Sequence, residues 1–275
     1  MRSTLKRTRH TWYGWSVKPD GLTEADEAVL GGVVVRPCTS QEWARFVGLV
    51  RAHHSLGLRG LVGERVGDVA EVEGQWVALV LWAAAAMRRQ VREAWIGWRP
   101  SLAWQRVPLV VNNVRFLILP GVVAPNLASR VLGMSTRRLS HDWQQAWGHP
   151  VVLAETFVDP RRYAGTCDRA AGWVTLGRTQ GFARHCRGWT YHGHAKVVMV
   201  RELAPQARDL LARPHLCPEL DRGVARMKMQ TQGDRHVDQG ASEAARPAPA
   251  AGAAAPQVEP SDRLRGGGAL RCAVV

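Results

Sequence analysis

No metal-ligand box, no P-loop and no nucleophile elbow occurs in the 275 residues of this chain. Their absence removes the reaction classes that announce themselves by a short motif. Cysteine is scarce as well: Cys38, Cys167, Cys186, Cys217 and Cys272 form no CxxC pair. Neither a disulfide framework nor a zinc site is expected from them. No apolar run reaches the roughly 20 residues of a membrane span, and the longest, Trp76 to Met87, suits a buried strand running into a turn. Met1 to His10 is basic, yet no apolar stretch follows it, so the sequence predicts a cytoplasmic chain with no membrane partner.

Carboxylates are short of the cations. Formal net charge is +14, and residues 36–203 alone hold 21 Arg and one Lys against 11 Asp or Glu, a net +11. The choice of Arg over Lys, 33 to four across the chain, is the habit of a GC-rich genome. That habit does not explain the missing acids. A basic excess confined to the folded part attracts phosphate, so DNA or RNA is an expected partner.

Composition divides the chain in three. Residues 1–35 read as a flexible arm, basic with Arg7, Arg9, Trp12 and Trp15, then acidic from Glu24 to Glu27. Residues 36–203 carry the periodic pattern of one domain. Residues 204–275 read as a largely disordered tail, Pro/Ala-rich at 245–262.

Structure is expected to begin near Pro37, with Thr39 or Ser40 capping a helix whose first turn holds Glu42. Trp43, Phe46, Val47 and Val50 give its buried stripe. Leu61–Val69 and Glu73–Trp82 read as strands paired about Glu73-Gly74. Ala83–Val91 is a helix or turn, and Trp95–Trp98 an extended piece. Leu109–Val111 and Phe116–Leu119 are β signals, Leu127–Trp147 a helix, Val151–Val158 a central strand, Gly165–Leu176 a shorter helix and Val197–Val200 a last strand. The fold class is α/β (α+β), a mixed central sheet with helices on both faces.

Candidate chemistry gathers on a few residues. Glu155 stands in the most apolar strand, VVLAETFVD. It is either a general base at a cleft or half of a structural ion pair with Arg115 or Arg130, and the strand alone supports both readings. Thr156 follows it. Asn126 reads as the N-cap of the long helix, with Ser129 and Arg130 in its open first turn, where backbone N–H groups would hold an anion. Gly165 and Thr166 open the next helix and join the ligand-binding candidates. His54 is either a catalytic histidine or a packed or surface one, and its neighbour His53 points about 100 degrees away on a helix, which is poor geometry for a shared metal. His192 and His194 lack a third ligand. Most of the tryptophans read as core, while Trp95 to Arg106 interleaves aromatics with Arg as nucleobase-stacking surfaces do.

Several blocks carry a resemblance. HHSLGLRGLVGE (53–64), WIGW (95–98), NNVRFLILPGVVAPNLASRVL (112–132), ETFVD (155–159) and GTCDRAAGWVTLGRTQG (165–181) resemble the DruA-type domain of Druantia anti-phage systems, also found with transposases. The resemblance implies a role in phage defence or in mobile elements, with a helicase or transposase as partner protein and no defined molecular activity. The order of strand, loop, helix, strand and helix is also similar to the GNAT acyltransferase fold. That likeness implies an acyl-CoA-dependent transferase using acetyl-CoA, yet Pro125-Asn126-Leu127-Ala128-Ser129 stands where that fold has its Gly-rich pyrophosphate loop. The chain departs from DruA relatives at Asp168, where an aromatic is expected, and at Gly172, where Asn is.

Overall fold

Two apolar runs separated by Glu73-Gly74 fold back on each other because both turn residues take positive φ, 50° and 75°. That backbone matches the twist of paired strands. The products are β2 (Arg65–Val72) and antiparallel β3 (Gln75–Ala84), the pairing predicted from sequence. The computed structural model describes residues 24–58, 63–87, 89–185, 188–191 and 193–221.

Around this hairpin the chain runs α1 (Glu24–Gly32), β1 (Val34–Pro37), α2 (Trp43–His53), β2, β3, α3 (Gln90–Ile96), α4 (Pro100–Arg106), β4 (Val110–Ile118) and α5 (Leu127–Trp147). It continues through β5 (Leu153–Val158), α6 (Thr166–Ala170), β6 (Val174–Arg178), β7 (Phe182–His185), β8 (Gly188–Tyr191), β9 (Val197–Glu202) and α7 (Ala207–Ala212). Seven strands form one sheet in the order β1-β2-β3-β4-β5-β9-β6, and β7 with β8 forms a separate ribbon. Every pairing is antiparallel except β4 with β5. The long α5 supplies the crossover that a parallel pair requires.

Strand alternation sorts the core. Ala78, Val80 and Trp82 of β3 pack with Val131, Leu132, Leu139 and Trp143 of α5 on one face. Leu79 and Leu81 point the other way, onto Phe46 and Val50 of α2. Further along that second face, Val110, Leu153 and Val200 meet Ile96, Ala103, Ala207 and Leu211 from α3, α4 and α7. Helices thus cover both faces, and the fold is α/β as expected. Ahead of α2, the Thr39 N–H donates to Glu42 Oε2 (3.0 Å) and the Glu42 N–H to Thr39 Oγ1 (3.3 Å). The reciprocal Thr39–Glu42 bonds that the sequence predicts are present, but Glu42 is the N-cap residue of α2 rather than part of its first turn.

Several boundaries differ from the sequence reading. Structure begins ahead of Pro37: α1 and β1 precede it, with Leu30, Val33 and Val35 buried against the α5 face. Trp95–Trp98 is the end of α3 rather than an extended piece. Gly97 takes the left-handed backbone (φ 76°) and donates its N–H to the Glu93 carbonyl, closing the helix. The two β signals around Asn112-Asn113 are one strand. The helix expected over Gly165–Leu176 stops at Ala170, because Gly172 turns the chain at φ 82° and Val174 then pairs with Val200. Past residue 203, α7 and Leu220 still pack on the core. The basic arm at Arg7–Trp15, His192, Cys186, Cys272 and the Pro/Ala-rich stretch lie outside the described residues.

Candidate functional site

β4 and β5 pair for only four residues, Val110–Asn113 against Leu153–Thr156. Both strands continue, β4 to Ile118 and β5 to Val158. Each is held from its outer side: β3 pairs with β4 as far as Ile118, and β9 with β5 as far as Val158. Among the described residues no ladder joins β4 to β5 beyond Asn113 and Thr156. The cause is local. Leu81 pairs with Arg115 and the next residue, Trp82, with Asn113, so Val114 is one residue too many on β4. A bulge of this kind bends its strand and re-aims the side chains that follow.

Polar side chains collect at the foot of this gap. The last two rungs pair Asn112 with Glu155 and Asn113 with Thr156. Asn112 Oδ1, Asn113 Oδ1, Glu155 Oε2 and Thr156 Oγ1 are buried without a hydrogen-bond partner in the protein. Such orphans are few in folded proteins, and here they fall in two pairs, Asn112 with Glu155 on the α3 face and Asn113 with Thr156 on the α5 face, because neighbouring strand residues point to opposite sides. Glu155 is fully buried, and its partner is Arg92 of α3, whose Nη1 lies 3.0 Å from Oε1. Burial pushes the Glu155 carboxyl above the usual carboxylate range, against the downward pull of Arg92 and Arg89. The ion pair with Arg115 or Arg130 does not form. Arg115 instead donates to the Gly57 and Val114 carbonyls, and Arg130 is exposed on α5.

Cations rim the same opening. Lys196, just ahead of β9, has its ammonium pushed down, first by burial, with Arg115, Arg89 and Arg161 adding repulsion. Asp159 opposes the trend, but Arg161 already holds it through Nε–Oδ1 (3.0 Å) and Nη2–Oδ2 (2.6 Å). That contact keeps the Asp159 carboxyl at about 2. The Arg161 N–H also donates to Asp159 Oδ1 (3.1 Å) in the turn that ends β5. The Arg89 guanidinium lies 5.3 Å from the Phe157 ring.

The other predicted residues fall around this gap without meeting in one constellation. His54 caps the C-terminal end of α2, buried, with its Nδ1 accepting the Leu56 N–H at 3.2 Å. Its turn meets the site through the Arg115–Gly57 contact. Asn126 stands at the N-cap position of α5 as expected, but its backbone is left-handed (φ 62°, ψ 0°) rather than in the β-region typical of a capping residue, and its side chain makes no capping bond. The Ser129 hydroxyl donates back to the Asn126 carbonyl at 2.9 Å. Gly165 lines a pocket of about 270 Å³ whose walls include Met199, Arg169, Arg178 and Val158 at the end of β5. Thr166 is exposed on α6.

Sequence reading missed the partner of Glu155. Arg92 and the buried Ile96 share one helix face four residues apart, a signal hidden by treating that segment as turn and extended chain. It also missed Asp68, a buried carboxylate on β2 that accepts from Ser135 Oγ and from Trp82 Nε1 (3.2 Å). Among the described residues no three His, Cys, Asp or Glu side chains come together as a metal site would need. No helix there is long and apolar enough to cross a membrane.

The family model for the Druantia protein DruA matches residues 33–209. The chain belongs to the DruA family. Comparison with curated proteins finds no match. Among solved structures, the DruA-family chain is similar to the aminoglycoside acetyltransferase AAC(6')-Ib in complex with coenzyme A, at 16% identity and a TM-score of 0.41, covering 64% of this chain and 96% of that one. It is similar also to an acetyltransferase of the GNAT family from Streptococcus pneumoniae, at 15% identity and a TM-score of 0.40, covering 62% of this chain and 99% of that one. At these scores the likeness carries nothing about ligand or reaction.

Proposed function

We propose that this DruA-family protein contacts nucleic acid, seating backbone phosphates at the opening between β4 and β5, and that it serves phage defence or mobile elements by doing so. The observation that supports the reading is the gathering of cations at this opening. Arg115, Arg89 and Arg161 each repel the half-buried Lys196, and Asp159, which attracts it more than any one of them repels it, is shared with Arg161. A phosphate relieves that repulsion and is held by the cations that cause it. The test is fluorescence anisotropy of labelled DNA and RNA over rising salt. Binding should weaken steadily as salt rises, and Lys196→Ala should lower the logarithmic slope by about one. Absence of binding to any nucleic acid at low salt would sink the proposal.

A second reading, an acyl-CoA-dependent transferase, is favoured by the parted parallel strands, whose backbone can pair with an extended ligand. In it Glu155 or His54 would move the proton. Against it, Glu155 is engaged by Arg92, and α5 opens on Pro125, which has no N–H, and a left-handed Asn126. Calorimetry with acetyl-CoA decides this reading, and a flat trace removes it.

A further inference from the structure

We propose that the β7–β8 ribbon is a stacking platform for single-stranded nucleic acid, with Phe182 and Tyr191 as its rings. The proposal rests on the nucleic-acid reading above and names the surface that tells strand from duplex. Phe182 and Tyr191 face each other across the ribbon, with ring centroids 5.0 Å apart and planes at 52°. They are nevertheless 49% and 66% exposed. Each ring therefore keeps a large part of its surface open to a further flat partner.

The ribbon is presented rather than loose. A lone two-stranded hairpin is marginal in water, and this one is tied to the sheet at its base. Lys196 donates its N–H to Thr179 Oγ1 (2.9 Å), and Thr179 donates its own to the Lys196 carbonyl (2.8 Å). Just beyond, Gly181 and Gly193, both at positive φ, let the two legs touch: a Cβ on Gly181 would lie 3.2 Å from Gly193 and His194 backbone atoms. Aromatic rings held at a fixed place lose little freedom when a base stacks on them.

Charge selects the occupant. Between Asp168 and Glu202 the chain has no carboxylate and six cations, Arg169, Arg178, Arg184, Arg187, Lys196 and Arg201. In sequence the ribbon therefore lies within a stretch whose charges are all basic, a composition that repels a basic protein surface and attracts a polyanion. Base faces are available to aromatic side chains only where the bases are unstacked, which makes the fitting polyanion single-stranded.

Anisotropy with labelled oligo-dT of about 15 nucleotides, beside a duplex of equal length, tests this on the full chain. Phe182→Ala and Tyr191→Ala should each weaken oligo-dT binding about tenfold while changing duplex binding less than about twofold and leaving the melting temperature in place. Phe182→Tyr, which keeps a ring, should bind as the parent does. If alanine disturbs the ribbon, Phe182→Leu keeps the apolar bulk without the ring and should show the same loss. Unchanged oligo-dT binding in these variants, or equal losses on duplex and single strand, overturns the platform and leaves the phosphate reading standing. Failure of the parent protein to bind any nucleic acid at low salt overturns both.

Discussion

Arg92 donates from Nη1 to Glu155 Oε1 across 3.0 Å with neither side chain exposed, and losing one partner leaves a different pH dependence from losing the other. Arg92 also donates to the carbonyls of Ala86 (2.9 Å) and Met87 (3.4 Å) and lies 5.7 Å from the Trp98 ring. The second oxygen of Glu155 has no partner in the protein. Arg92→Met should therefore cost roughly 3–5 kcal/mol at neutral pH, because it strands a buried carboxylate. Glu155→Gln leaves the fully buried Arg92 guanidinium without its counter-charge and should cost a similar amount, roughly 3–5 kcal/mol, at every pH where the protein is folded, because a guanidinium does not shed its proton. In the Arg92 variant the folded carboxyl rises further above its unfolded value, so its stability deficit should shrink as pH falls and the group takes up a proton. Denaturant titrations at pH 5 and pH 8 check both statements. Deficits that change alike between pH 8 and pH 5 in the two variants would contradict the asymmetry.

Asp68 sets a second pH dependence. Burial pushes its carboxyl up to about 7, more strongly than the Ser135 and Trp82 hydrogen bonds pull it down. An acid raised above its unfolded value of about 4 binds a proton more tightly in the folded state. The contribution of Asp68 to stability should then be greatest below about pH 4, fall as pH rises towards 7, and level off above. Asp68→Asn keeps the shape and removes the charge, so it should flatten that profile and raise stability at pH 8 by an amount on the order of a few kcal/mol. A melting temperature that still falls between pH 4 and pH 7 in the variant would assign the dependence to another group.

Local patterns were the legible part of the sequence. The Glu73-Gly74 turn, the Thr39–Glu42 box and the bounds of α5 follow from rules that act within a few residues. Glu155 stood out for the same reason, as a lone carboxylate in an apolar strand. What it pairs with is a tertiary fact: Arg92 lies 63 residues away on a short helix whose face shows only once α3 docks. The gap between β4 and β5 was hidden for a related reason, since a bulge at Val114 is a property of two registers and leaves no mark in either strand alone. The helix predicted past Ala170 failed because pairing of Val174 with β9 outweighed local periodicity.

Gly67 fixes how closely α2 approaches the sheet. A Cβ there would meet Trp43 Cζ3 at 2.9 Å and Phe46 at 3.2 Å, and those two rings are stacked on each other 5.2 Å apart. Neither ring can yield without disturbing its neighbour. Gly67→Ala should cost about 1–3 kcal/mol by overpacking. Adding Trp43→Leu removes the closest ring and should recover part of that loss. A double-mutant cycle on melting temperature reads the coupling, and additive losses would show that the clash is relieved some other way.

Gly181 constrains the ribbon without supporting the core. Its φ is 76°, and the nearest atoms to an added Cβ are backbone of Gly193 and His194 at 3.2 Å, which cannot swing aside as a side chain would. Gly181→Ala should therefore cost about 1–2 kcal/mol locally through the left-handed backbone alone, with the steric contact adding to it. The ribbon belongs to a separate two-stranded sheet, so that cost should fall on its own opening equilibrium and not on global unfolding. Amide exchange over residues 182–191 should accelerate while exchange in β3 and β5 stays as it was. The global melting temperature should move little. A large fall in melting temperature, with β3 and β5 exchanging faster, would mean that the ribbon and the sheet unfold as one unit. Unaltered exchange at 182–191 would mean that the two legs can part at Gly181 without releasing the ribbon.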